Sequence, residues 1–189
     1  MNTDRAATAN VLGAVALAVA DQIPVTVTPA GGRSDSAAAT LSALYHFPAH
    51  PTVDQLGQVL GLTHSGAVRL IDRLAGAGLV ERGPGADRRS RSVRLTAAGR
   101  RAARRVSDRR IAYLNSLLAE FSPAETGALH ELLGRVMGQV VRHKLGGAWI
   151  CRMCNLQACG RAAGNCPAAN AAALKYGPTP PGEHHHGDP

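Results

Sequence analysis

A chain of 189 residues with formal net charge +8 has room for one compact domain and a small appendage, which sets multi-domain enzymes aside. Hydrophobic residues make up 45%, but Ala alone supplies 34 of them and aromatics only 3%, a composition that suits closely packed helices and not a sandwich of large side chains. The basic excess, with a sequence pI near 10.2, points to an anionic partner, nucleic acid first.

Residues Ala6 to Asp21 predict a first helix, followed by a loop over Pro24, Pro29 and Gly31-Gly32, which break regular structure. Its apolar run, Val11 to Ala20, is about half of the ~20 residues that cross a bilayer. The run ends in Ala18-Val19-Ala20, but the segment before it sets Asp4 against Arg5 and has no basic excess, so neither a membrane span nor a secretory leader is expected and the location is cytoplasmic. A second helix runs from Ser36 to Phe47 and stops at Pro48. Thr52 opens a third with Gln55 as its capping-box partner and Val53, Leu56, Val59 and Leu60 on its apolar face, and Gly61 closes it.

Thr63 caps a fourth helix, with Ala67, Val68, Ile71 and Leu74 on one face and Ser65, Gly66, Arg69, Asp72 and Arg73 on the other. Two helices joined by Gly61-Leu62-Thr63 form a helix-turn-helix, whose second helix presents its N-terminal side chains to base edges. Leu79 to Arg82 then reads as a strand, Gly83-Pro84-Gly85 as a turn and Arg91 to Leu95 as the returning strand, with Val93 and Leu95 inward. Beyond Thr96 the chain is helical through Phe121. Ser122-Pro123-Ala124-Glu125 starts a last long helix toward His143, with Leu129, Leu132, Leu133, Val136 and Val140 as its stripe. These two helices and the first one predict dimerisation, the alternative being an intramolecular bundle.

Between His64 and Arg110 lie thirteen Lys/Arg and four Asp/Glu, a local net +9. A GC-rich genome would explain why nineteen of the twenty-one basic residues are Arg, but not why they cluster. A charge run is usually a solvated face; here it coincides with a helix-turn-helix and a hairpin.

The run Leu74-Ala75-Gly76-Ala77-Gly78-Leu79-Val80-Glu81-Arg82, followed by Asp87, Arg89, Val93, Leu95, Thr96 and Gly99 at the spacing of a wing signature, resembles the MarR family of bacterial winged-helix repressors. The resemblance in element order covers about Val11 to Lys144, and the sharp motif lies in Leu74 to Gly99. It implies a mainly α fold with a small β-hairpin wing, flanked by dimerisation helices. It further implies a homodimer on double-stranded DNA, with the fourth helix in the major groove and the wing in the minor groove. In that arrangement Ser65 and Arg69 lie near bases, His64 and Arg73 near the backbone, and Gly66 allows close approach. Arg89 is the wing-tip arginine, Asp87 fixes the turn, and Arg88 and Arg91 contact phosphates. Ala-rich Ser34 to Thr40 and the irregular Pro24 to Arg33 loop depart from the family's usual pattern, which bears on any small-molecule effector pocket.

Cys151, Cys154, Cys159 and Cys166 give C-x2-C-x4-C-x6-C, a set of thiolates able to close a tetrahedral S4 site. Zinc is the cofactor expected; an iron-sulfur cluster is the alternative, since Cys166-Pro167 also ends ferredoxin-type runs. Either gives the chain a structural centre or a redox or metal sensor. Trp149 is expected to pack beside the cysteines, His130 and His143 to be surface or interface residues, and the tail histidines His184, His185 and His186 are given no role.

The expected organisation is therefore an N-terminal dimerisation helix and loop (1–33), a winged helix-turn-helix (34–99), C-terminal dimerisation helices (100–145), a cysteine segment (146–170) and a disordered tail (171–189). The expected function is a DNA-binding transcriptional repressor without catalytic activity. From another class, a thiol-disulfide oxidoreductase using Cys151 and Cys154 lacks the βαβ context of a redox C-x-x-C, and an RNA-binding module lacks aromatics for base stacking.

Overall fold

In the computed structural model, residues 3–27, 35–46, 50–84, 91–143, 148–155 and 158–177 are described. The elements run α1 (Thr3–Val27), α2 (Asp35–His46), α3 (Val53–Leu60), α4 (His64–Gly76), β1 (Val80–Pro84), β2 (Arg91–Leu95), α5 (Ala97–Ser116), α6 (Pro123–His143), α7 (Ala148–Cys151), a short 3-10 turn (Arg161–Ala163) and α8 (Pro167–Tyr176). This is the mainly helical winged-helix fold expected, with one two-stranded antiparallel sheet among the described residues.

Local chemistry fixes each corner of the central unit. The Thr52 N–H donates to Gln55 Oε1 at 2.9 Å and the Gln55 N–H to Thr52 Oγ1 at 3.2 Å, a reciprocal capping box that starts α3. Gly61 ends it in the left-handed region, φ 67°, a conformation that costs glycine nothing. Gly57 lets α3 and α4 approach, since a Cβ there would stand 3.3 Å from Ala67 Cβ. Thr63 then caps α4 by accepting the Gly66 N–H at 3.2 Å.

The wing is pinned at its base. Its register pairs Val80 with Leu95, Arg82 with Val93 and Pro84 with Arg91. The Val93 N–H donates to the Pro51 carbonyl at 2.9 Å, tying β2 to the entry of α3. Thr96 Oγ1 donates to the Gly78 carbonyl at 2.7 Å and accepts the Gly99 N–H at 3.0 Å. A Cβ on Gly99 would overlap the Leu79 carbonyl oxygen and lie 2.9 Å from its carbon. The Leu95-Thr96-x-x-Gly99 signature is thus a threonine cap plus a residue that must lack a side chain.

One core joins Leu41, Leu44, Leu56, Leu70, Ile71, Leu74, Leu79, Val80, Val93, Leu95 and Ala103. The Ala-rich α2 is buried from Ala37 to Leu44 because small side chains let it pass between α5, α3 and the hairpin. Truncating a residue such as Leu41 or Ile71 costs about 2–5 kcal/mol.

Several expectations are corrected. The first helix does not end before Pro24: α1 continues through it to Val27, the ring removing one backbone bond near the end of the helix. As a result the stretch Asp4–Pro24 is long and apolar enough to cross a membrane by length and composition, which the run Val11 to Ala20 did not suggest. Leu70, not Val68, joins Ala67, Ile71 and Leu74 in the core; Val68 is half-buried. The first strand is Val80–Pro84, shifted toward the turn, and α5 ends at Ser116 rather than Phe121. Residues 171–176, expected in a disordered tail, belong to α8, which packs on α6. There Val141 and Met137 meet Ala168 and Ala171, and Gly134 is approached by Pro167, whose Cγ would lie 3.3 Å from an added Cβ. The stripe Leu132, Leu133, Val136 and Val140 is left on the opposite, open side of α6, 37% to 56% exposed.

Candidate nucleic-acid interface and cysteine centre

At 3.6 residues per turn, side chains four apart advance about 40° around a helix, so Ser65, Arg69 and Arg73 follow one face of α4. All three are exposed. His64 Nδ1 is hydrogen-bonded to Asp54 Oδ1 of α3, which orients the imidazole across the turn while leaving it open to solvent. Ser65 Oγ lies 3.4 Å from Thr63 Oγ1. Gly66 has a role the sequence reading did not give it. Its N–H satisfies the Thr63 cap, and a Cβ there would stand 3.2 Å from Thr63 Oγ1.

Arg91 is exposed at the start of β2. Asp87, Arg88 and Arg89 lie outside the described residues. Two further arginines were missed. Arg82 on β1 makes an ion pair with Asp72 on α4, Nη1 to Oδ1 2.7 Å, which locks the wing to the helix it follows. Arg94 lies along Gly83, and its buried Nε has no hydrogen-bond partner among the described residues. Opposite charges on neighbouring elements were the available signal for the first; nothing in the sequence marks the second. On α5, Arg101, Arg104, Arg105 and Arg109 are exposed as well.

The four cysteines lie at a corner made by α7, the 3-10 turn and the start of α8. Cys151 ends α7, and the Cys154 N–H donates back to its carbonyl at 2.9 Å. Cys166 is the N-terminal cap residue of α8, with Pro167 in its first turn. Between them Gly160 and Gly164 take left-handed conformations, φ 66° and 73°, and the Asn165 N–H closes the turn onto the Gly160 carbonyl at 2.9 Å. None of the four is in a disulfide; Cys151 and Cys166 are buried and Cys154 and Cys159 half-buried.

Cys154 Sγ donates to the Ile150 carbonyl at 3.9 Å, and Cys151 and Cys154 act on one another electrostatically, as do Cys159 and Cys166. Within the first pair, the hydrogen bond to Cys154 and burial push the Cys151 thiol up. The bond from Cys151 pulls Cys154 down, with Arg110 and Arg152 adding to the effect against burial. Burial raises Cys159. Among the described residues, no three His, Cys, Asp or Glu side chains are already arranged around one point to hold an ion. Sulfur is the donor type a thiophilic metal takes, but the four side chains form no cradle for one.

That corner touches the DNA-reading unit. Met153 packs with Ile23 against Ala38 and Val106, and α7 lies against α3. Burial lowers the pKa of Arg110, whose buried Nε has no hydrogen-bond partner among the described residues. Burial and then the Arg110 charge lower that of His46, whose Nε2 lies 3.3 Å from Ser107 Oγ. The side chains of Trp149 and His143 and the residues His184 to His186 lie outside the described residues. His130 is exposed on α6.

A sequence search of curated proteins gives no match. Among solved structures, the chain is similar to a protein from Mycobacterium tuberculosis at 26% identity, covering 72% of this chain and 93% of that one, with TM-score 0.57. It is similar to a MarR/EmrR family transcriptional regulator from Acinetobacter sp. ADP1 at 25% identity, covering 75% and 99%, with TM-score 0.55. A MarR family protein from Bacillus stearothermophilus shares the fold at 23% identity, covering 74% and 98%, with TM-score 0.63. The model of the MarR family matches residues 32–90. The helix-turn-helix and the wing's first strand lie within the residues that this model matches, set in the winged-helix fold that these structures share.

Proposed function

We propose that the protein is a sequence-specific regulator of transcription that binds double-stranded DNA as a homodimer. The observation that carries this reading is the polar, arginine-bearing face of α4 beside a hairpin bound to it through Asp72 and Arg82. A helix of this kind fits a major groove while the adjoining wing tracks the duplex. The local +9 charge supplies the sequence-independent part of affinity.

Dimerisation is supported by apolar side chains left open on two elements outside that unit. Val11, Leu12, Val15 and Leu17 on α1 and Leu132, Leu133, Val136 and Val140 on α6 are all exposed. A second copy offers matching surfaces, and burying them removes contiguous apolar area from water. Repression is the expected sign, since a dimer seated on two half-sites blocks a promoter by occupancy. The contact of Met153 and α7 with the α2–α5 corner and α3 supports a sensing role for the cysteine end.

Binding to a duplex selected from random sequence, measured by fluorescence anisotropy across salt, tests the DNA reading. Arg69→Ala is expected to cost about 1–3 kcal/mol and to relax preference at one base pair per half-site, whereas Arg91→Ala weakens all duplexes alike and lowers the salt slope by about 1. Equal affinity for selected and random duplexes would defeat the proposal. A scattering mass of one 19.6 kDa chain, or recovery with lipid vesicles instead, would defeat its dimeric part.

A further inference from the structure

His64 and Asp54 pair across the turn of the helix-turn-helix, each side chain 70% exposed. Pairs this exposed add little to stability, yet this one is firmly placed. Asp54 lies in the first turn of α3, inside the Thr52–Gln55 capping box. His64 opens α4 next to its cap Thr63. The Leu62 N–H donates to the Gly57 carbonyl at 2.9 Å, which fixes the two helices to each other, so both ends of the pair are set before any ligand arrives.

The chemistry of the pair decides what the imidazole can offer. An ionised carboxylate only accepts hydrogen bonds, so the proton between Asp54 Oδ1 and His64 belongs to Nδ1. In the neutral ring Nε2 then carries a bare lone pair, which turns phosphate oxygen away; only the imidazolium donates from both nitrogens. In helix-turn-helix docking the first helix crosses the sugar-phosphate backbone while the second enters the groove. A side chain bound to α3, and one residue or about 100° around α4 from the Ser65–Arg69–Arg73 face, meets the groove wall in that docking. Phosphates line that wall. An unmasked Asp54 repels them, whereas an imidazolium between Asp54 and a phosphate is attracted by both.

No other described group competes for His64. Asp54 is the only ionisable residue of α3, and the nearest charge on α4 is Arg69, five residues on. The elements packed on these two helices are α2, α7, β1 and β2. Their histidine, His46, is turned to Ser107 of α5. Arg82 is held by Asp72 and Arg94 lies along Gly83. Tyr45, Glu81 and Arg91 are exposed and Cys151 is buried, and the side chain of Asp35 lies outside the described residues. Among the described residues, Asp54 alone forms an ion pair with His64.

We infer that His64 grips a DNA phosphate as the imidazolium, taking its second proton from solvent as the duplex docks, and that Asp54 is the residue that positions it. The inference rests on the DNA-binding reading above and gives it a sign. A group that gains a negative neighbour on binding holds its proton more tightly in the complex, so affinity is fully present at low pH and is lost as the pH rises through the histidine range.

Anisotropy with a selected duplex at constant ionic strength tests it. Between about pH 6 and about pH 8.5 the affinity of the unchanged chain should fall by about 10–100-fold, and calorimetry in buffers of different ionisation enthalpy should show uptake approaching one proton per chain. His64→Gln should flatten the profile, and His64→Lys should stay tight throughout because its charge does not titrate in that range. Asp54→Asn should bind more tightly than the unchanged chain at the alkaline end, where the carboxylate is no longer masked, and give a shallower profile; a merely structural role would weaken both ends equally. Affinity that rises with pH would place a base-edge donor on a bare Nε2 and overturn the inference, as would a flat profile or a slope that survives in His64→Gln. Failure of the unchanged chain to bind any duplex at either end of the range would overturn the DNA-binding reading itself, and this inference with it.

Discussion

The winged-helix unit and the cysteine end are held together in different ways. Between Thr52 and Gly99 three helix starts each have a threonine cap with a backbone partner, over a core rich in Leu, Ile and Val. From Ile150 to Tyr176 the buried side chains are Cys151, Cys166, Ala168 and Ala171, which remove little apolar surface from water. The first region is stabilised by packing and hydrogen bonds. The second has less of both and carries four cysteines, two of them buried.

Three perturbations should act unequally on the two regions. Gly99→Ala strikes the first region at its tightest contact, the Leu79 carbonyl, and should cost about 3 kcal/mol or more, seen as a lower denaturant midpoint. Cys151→Ala, at a buried cysteine, should act on the second region instead. Hydrogen exchange is then expected to rise across α6, α7 and α8, while the amides of α3, α4 and β2 keep their protection. Uniform loss across both regions would erase the distinction. The smallest effect belongs to the Asp72–Arg82 pair, both members partly exposed. A double-mutant cycle should give about 0.2–1 kcal/mol of coupling in stability, with a larger loss in DNA affinity because the wing is no longer held against α4.

Legibility in the sequence follows the same division. Thr52, Gln55, Gly61 and Thr63 announce their helices because caps act within four residues, and the returning strand Arg91–Leu95 is visible because Val93 and Leu95 alternate toward the core. Ser92, placed on the outward alternation, is in fact buried: its Oγ donates to the Pro84 carbonyl at 2.8 Å, and the entry to α3 covers that face of β2 as a third, bridge-like neighbour. That contact is tertiary and leaves no local trace. The same holds for α8, whose Ala-rich sequence has no amphipathic signal and becomes a helix against Gly134 and Gly138 of α6. The cysteines were legible as a group from their spacing, but the arginine beside them was not, since Arg110 lies about forty residues earlier in the chain and looks like one more member of a basic run.

The central claim is that α4 reads base edges while a dimer spans two half-sites, and methylation interference on a selected operator tests it most directly. The account predicts that guanine N7 methylation blocks binding at two symmetric clusters about one helical turn apart, or a multiple of it, and that Arg69→Ala removes the effect at one guanine in each. Interference spread evenly along the duplex, or a single cluster unaffected by Arg69→Ala, would contradict it.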